Sequence, residues 1–247
     1  MNILTFDSDG KLNEAAAGII IGTVQTTPRA VLGLATGGTP VGIYGEVVKE
    51  FKRGMISFRN AVSFNLDEYV NIPADHPESY HSYMNQHLFS HIDLPASQRH
   101  IPDGNAPDPE AECRRYDSLI EQAGQIDLQL LGLGHNGHIG FNEPAHALIR
   151  GTHVVELAEA TREANARFFD SIDEVPKQAL TMGVGTILKA KKILLVVKGA
   201  DKADIVARAL QGPITTDCPA SLLQTHPNLV VLLDAPAATK LKQENRP

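Results

Sequence analysis

The sequence predicts an α/β fold in a single domain: a doubly wound, mostly parallel open sheet with helices on both faces. Three observations carry this. Short runs rich in Val, Leu and Ile recur along the chain, they are continuous rather than alternating, and helical patterns lie between them. A strand covered on both faces has no polar side to show, so continuity marks a sheet buried between helix layers. Alternation of strand and helix then implies right-handed crossovers between parallel neighbours.

The strands are expected within residues 30–35, 61–66, 127–133, 193–197 and 228–233, each a short apolar run bounded by turn residues. The first helix between them is expected at 40–51, where Ile43, Tyr44, Val47, Val48 and Phe51 share one stripe. Thr39 reads as its N-cap, with Pro40 at the first helical position. A second helix at 109–122 aligns Tyr116, Leu119 and Ile120. His87 and His91 are spaced to share a helix face, as surface or core residues. Sheets of this kind hold ligands beyond the carboxyl ends of their strands, and that is where the chemistry is to be sought.

Composition narrows the function classes. With 43% hydrophobic and 21% charged residues the chain has the balance of a folded globular protein. A net charge of −7 provides no basic face for nucleic acid, yet leaves room for a local anion site. The opening MNILTFDSDG has neither a positive segment nor a long apolar stretch, so no leader or anchor is expected. The longest apolar runs are far shorter than the roughly 20 residues that span a bilayer. Cys113 and Cys218 stand apart from any Cys-x-x-Cys or Cys-His pattern, which fits structural thiols in a reducing cytoplasm.

Four segments could carry chemistry. Ala35-Thr-Gly-Gly-Thr-Pro40 joins a strand to a helix, and its residues Thr36, Gly37, Gly38 and Thr39 could cradle a phosphate or form a plain hinge. It has neither dinucleotide-binding nor P-loop spacing. In Phe64-Asn-Leu-Asp-Glu-Tyr69, Asp67 and Glu68 emerge at a strand's carboxyl end, where a carboxylate can take a proton from carbon beside a carbonyl or merely cap a turn.

The densest segment is Gly132-Leu-Gly-His-Asn-Gly-His-Ile-Gly-Phe-Asn-Glu-Pro144. Four glycines thin the backbone around His135, Asn136, His138, Asn142 and Glu143, and each glycine costs ordering entropy. A histidine beside a carboxylate suits proton traffic near neutral pH. His135, His138 and Glu143 match no zinc spacing, so no metal is expected. Two cations complete the set: Arg167, and Lys202 in the first turn of a helix expected near Asp201. Helix dipoles disfavour a lysine at that end unless an anion sits beside it, and a solvated surface lysine is the other reading.

Taken together these segments resemble the glucosamine-6-phosphate deaminase family. The resemblance runs through Thr36-Gly-Gly-Thr-Pro40, Phe64-Asn-Leu-Asp-Glu-Tyr-Val70, His76-Pro-Glu-Ser-Tyr80, Gly104-Asn-Ala-Pro107, Gly137-His-Ile-Gly-Phe-Asn-Glu-Pro144, Val175-Pro-Lys177 and Gly183-Val-Gly-Thr186, in that order over nearly the whole chain. It implies a Rossmann-like, sugar-phosphate isomerase-like fold, and an enzyme that takes glucosamine 6-phosphate to fructose 6-phosphate and ammonia without a cofactor. It further implies Asp67 as the base moving a proton between C2 and C1, His138 assisting ring opening under the orientation of Glu143, and Thr36 to Thr39, Arg167 and Lys202 around the phosphate. Residues 145–177 are expected to close as a lid. Asn136 stands where some members carry Asp, leaving Glu143 as the charged partner of His138. The resemblance also implies a cytoplasmic enzyme whose partner is a small amino-sugar phosphate, neither nucleic acid nor membrane. Whether it is monomeric or a homo-oligomer stays open. Galactosamine-6-phosphate deaminase, 6-phosphogluconolactonase and a non-catalytic sugar-phosphate sensor are the alternatives.

Overall fold

The computed structural model describes residues 1–166, 169 and 171–242. Among these residues ten strands and eight α-helices follow one another as β1 (Asn2–Phe6), α1 (Asp9–Thr26), β2 (Val31–Leu34), α2 (Gly38–Lys52), β3 (Val62–Asn65), β4 (Asp67–Tyr69), α3 (Tyr80–His87), β5 (Arg99–His100), α4 (Pro109–Ala123), β6 (Leu128–Leu131), β7 (His153–Glu156), α5 (Glu159–Asn165), β8 (Gln178–Thr181), α6 (Val184–Leu188), β9 (Ile193–Val197), α7 (Ala203–Gln211), β10 (Leu229–Asp234) and α8 (Ala235–Ala238). Short 3₁₀ turns fill several connections.

Seven strands form one sheet in the order β1-β10-β9-β6-β2-β3-β5, with every neighbouring pair parallel. This is the doubly wound arrangement that the continuous runs predict. All residues of β2, β3, β6 and β9 are buried, because helices cover both faces. From β2 the chain winds outward through β3 and β5. From β6 it winds the other way through β9 and β10. The reversal between β2 and β6 opens a crevice at their carboxyl ends, the switch point at which such sheets bind ligands.

The structure adds a second sheet that the sequence does not announce: three antiparallel strands in the order β4-β8-β7. Leu66 joins the two sheets. Its N–H donates to Leu34 O of the large sheet (3.0 Å), and its carbonyl accepts from Met182 N beside the small one (2.7 Å). Asp67 therefore begins a strand rather than a turn.

Three local expectations change. Helix α2 starts at Gly38 with Gly37 as N-cap, two residues before the expected Thr39. Gly37 has φ +99°, which places it in a region closed to ordinary side chains, and Pro40 is tolerated in a first turn whose N–H groups have no helical partner. Lys202 closes a 3₁₀ turn, Ala200–Lys202, and is the N-cap of α7 instead of lying inside its first turn. His87 ends α3 while His91 belongs to a separate 3₁₀ turn, so the two do not share one helix. Cys113 and Cys218 are buried free thiols. No helix among the described residues is long and apolar enough to cross a membrane.

Candidate active site

A cavity of about 260 Å³ lies in the crevice at the switch point. Its walls are made by the segments that follow β2, β3 and β6, joined by Lys202 after β9 and Thr161 of α5. Thr36, Gly37, Gly38, Thr39, Asp67, Asn136, His138 and Lys202 all line it. Glu143 stands behind His138, and Arg167 lies outside the described residues.

One wall is the turn from Thr36 to Thr39. No side chain caps α2, so its first N–H groups are left for whatever occupies the cavity. Lys202 lines the same cavity, and its Nζ donates to Leu133 O (2.8 Å). A turn of free N–H groups with an ammonium in the same cavity suits a phosphate.

Asp67 also lines the cavity and is only 6% exposed. Its pKa is raised from 3.8 to about 8, first because burial strips water from the anion and then because Glu68 carries like charge beside it. Glu68 is held by N–H donors of Tyr69 (2.9 Å), Tyr80 (3.0 Å) and His81 (3.1 Å) and by the His81 ring (3.1 Å). Of the adjacent carboxylates, Glu68 is thus structural and Asp67 faces the cavity. Gly140 brings the histidine loop onto Asp67. Its φ is +58°, and a Cβ there would sit 3.0 Å from Thr181 Oγ1 and 3.6 Å from Asp67 Oδ2.

The third group is a relay. Asn136 Nδ2 donates to Glu143 Oε2, which turns Asn136 Oδ1 towards His138, where it lies 2.8 Å from Nδ1 and accepts from the backbone N–H at 3.2 Å. An amide oxygen only accepts, so His138 carries its proton on Nδ1, and Nε2 is the nitrogen left for the cavity. His138 Nδ1 also lies 3.4 Å from Glu143 Oε2, and Thr161 Oγ1 donates to Glu143 Oε1 (2.5 Å). Burial alone would raise the pKa of Glu143, but hydrogen bonds from His138, Thr161 and Asn136 overcome it and hold the carboxyl at about 2. Asn136 is therefore a bridge between ring and carboxylate. His135 also lines the cavity but stands outside this relay; its Nε2 lies 2.7 Å from Asp201 Oδ2 near the surface.

Reading the sequence alone misses Thr161, Tyr80 and Phe141 among the lining residues. Thr161 sits 18 positions from Glu143, with no local pattern to link them. Tyr80 was within reach, since it ends the His76-Pro-Glu-Ser-Tyr80 motif and opens α3 into the cavity.

The family model described as glucosamine-6-phosphate isomerases/6-phosphogluconolactonase matches residues 10–231. The chain belongs to this family. A curated relative from Geobacillus sp. (strain WCH70), named glucosamine-6-phosphate deaminase, is 54% identical over 236 residues, covering 96% of this chain and 94% of the relative. A solved structure described as a monomeric glucosamine-6-phosphate deaminase superposes with a TM-score of 0.95 at 50% identity, covering 97% of this chain and all of that one (100%). The 6-phosphogluconolactonase of Thermotoga maritima shares the family fold with a TM-score of 0.74 at 19% identity, covering 94% of this chain and 97% of that one.

Proposed function

We propose that the chain converts glucosamine 6-phosphate and water into fructose 6-phosphate and ammonia. The observation that carries this is one cavity holding a buried carboxyl with a raised pKa, a histidine of fixed tautomer, and a turn of free N–H groups. The relatives near 50% identity and above that bear the deaminase name favour this reading over the lactonase half of the family.

In the reaction, the phosphate is bound by the turn from Thr36 to Thr39, by Lys202 and by Arg167. His138 Nε2 moves the proton that opens the pyranose, with its charge supported through Asn136 and Glu143. Asp67 then takes the C2 proton of the open aldose and returns it to C1, leaving an imine at C2. Water adds to that carbon and ammonia leaves, giving the ketose. Each step is a proton transfer or an addition of water, so the chain's own acids and bases suffice. Residues 145–177 are proposed to close over the sugar once it is bound. The setting is a cytoplasm supplied with amino-sugar phosphates.

The test is a coupled assay for fructose 6-phosphate. Removing an acid–base group costs about 10²–10⁴ in rate, so Asp67→Asn should lose at least a hundredfold while staying folded. Wild-type turnover in that variant would remove Asp67 from the mechanism. Parallel assays with galactosamine 6-phosphate and 6-phosphogluconolactone distinguish the alternatives: faster turnover of either would displace the glucosamine reading.

A further inference from the structure

Two carbonyls around the turn, that of Ala35 just before it and that of Gly37 within it, are each held by a phenol. Tyr44 Oη donates to Ala35 O and Tyr83 Oη donates to Gly37 O, both at 2.6 Å. In a trans peptide the carbonyl and the following N–H point in opposite directions. Holding Ala35 O therefore directs the N–H of Thr36, and holding Gly37 O directs that of Gly38.

The two phenols stand on the far side of the turn. Tyr44 is 1% exposed, within the apolar core beneath the turn. Tyr83 lines a second cleft of about 270 Å³, along with Val41, Pro77, Gln86 and His87. Gly37 and Gly38 border both that cleft and the active-site cavity, whereas Tyr83 borders only the cleft. The Gly37 carbonyl is accordingly drawn away from the cavity and the Gly38 N–H is turned into it. Gly37, at φ +99°, has no side chain to restrict its peptide planes, so the phenol adds to the helix start in holding one orientation. Burial raises the pKa of Tyr83, which keeps it a hydroxyl donor.

We infer that Tyr83 is a positioning residue for phosphate recognition, which acts from behind the turn by orienting the Gly37–Gly38 peptide, with Tyr44 doing the same for Ala35–Thr36. This rests on the reading of the turn as a phosphate site.

The experiment compares wild type with Tyr83→Phe, which removes the hydroxyl and keeps the ring that packs on His87 at 4.6 Å between centroids. One neutral hydrogen bond corresponds to about two- to tenfold in affinity. The KM for glucosamine 6-phosphate and the inhibition constant of inorganic phosphate should rise together by that factor, with kcat changed less than about twofold. A folded variant in which both constants stay at wild-type values overturns the inference, and so does a loss confined to kcat. Wild-type enzyme that is indifferent to inorganic phosphate and turns over glucosamine as well as its 6-phosphate would overturn the phosphate turn, and this inference with it. A measurement on the wild type alone guards against a variant that fails to fold. Titration with inorganic phosphate should shift the amide ¹H–¹⁵N signals of Thr36 and Gly38 more than those of Ala35 and Gly37, and the reverse pattern would overturn the assigned peptide orientations.

Discussion

Asp67 illustrates how one buried carboxyl makes stability depend on pH. Its pKa rises from 3.8 to about 8, so the folded protein retains a proton that the unfolded chain releases between those values. The contribution to stability is fully present below 3.8 and is lost as pH rises through about 8. Replacing Asp67 by Asn removes this titration. Thermal unfolding of Asp67→Asn should therefore depend less on pH than that of wild type between about pH 4 and pH 8, even though the variant is expected to be nearly inactive. Parallel melting curves for the two proteins would show that Asp67 ionises normally. Glu143 carries the opposite sign. Held at about 2 against its ordinary 4.5, it contributes stability above 4.5 that is lost as pH falls through about 2. The sequence brings both residues to notice, since each lies where strand ends place ligands. It does not reveal the role of Asn136, because an amide's usefulness depends on which way it faces, and that is decided by Glu143 seven positions on.

At the scale of elements, the start of α2 makes the sharpest test. Nothing lies within 4 Å of a Cβ built on Gly37, so Gly37→Ala meets only the conformational cost of a positive φ. With ψ −172° this is an extended positive-φ conformation essentially confined to glycine, and the cost is about 1–3 kcal/mol. The urea midpoint should fall accordingly and the KM for a phosphorylated substrate should rise, whereas an unchanged midpoint would mean that the turn adopts another conformation. The same element shows what was legible. Its apolar stripe locates α2 to within two residues, because burial of Ile43, Tyr44, Val47 and Val48 is periodic. Its first residue was misplaced, because Thr39-Pro40 is a good start signal locally and Gly37 wins only through the tertiary bonds on the turn. The small sheet was not legible at all. Its strands are three or four residues long, and Asp-Glu-Tyr and Gln-Ala-Leu-Thr have the composition of connections.

Across the molecule, the question is which parts move. In residues 145–177, β7 is paired along its length with β8, while α5 contributes Thr161 to the cavity and its bond to Glu143. Closure should thus leave β7 in place and be felt after it. Binding of a non-hydrolysable substrate analogue should slow amide exchange from about residue 158 onward, while the already paired amides of β7 change little. Uniform exchange with and without the analogue would argue against a lid. Five of the seven strands of the large sheet were legible as buried apolar runs, whereas β1, largely exposed, β5, two residues long, and the strand order were not. The placement of Thr161 against Glu143 was not, since it rests on a contact between distant segments.

The double attachment of Leu66 has a consequence for anyone who would transplant this chemistry. Asp67, the proposed base, is one peptide beyond a backbone unit that belongs to two sheets at once, so its direction is set by their mutual register. Adding a single residue at this joint would exchange the two faces of the strand that follows and point the carboxyl away from the histidine. The portable module is consequently not a loop motif but a pair of sheets with their seam. Grafts that copy Asn-Leu-Asp-Glu onto the edge of another parallel sheet, without an antiparallel partner to grip the leucine carbonyl, should fold and remain inert.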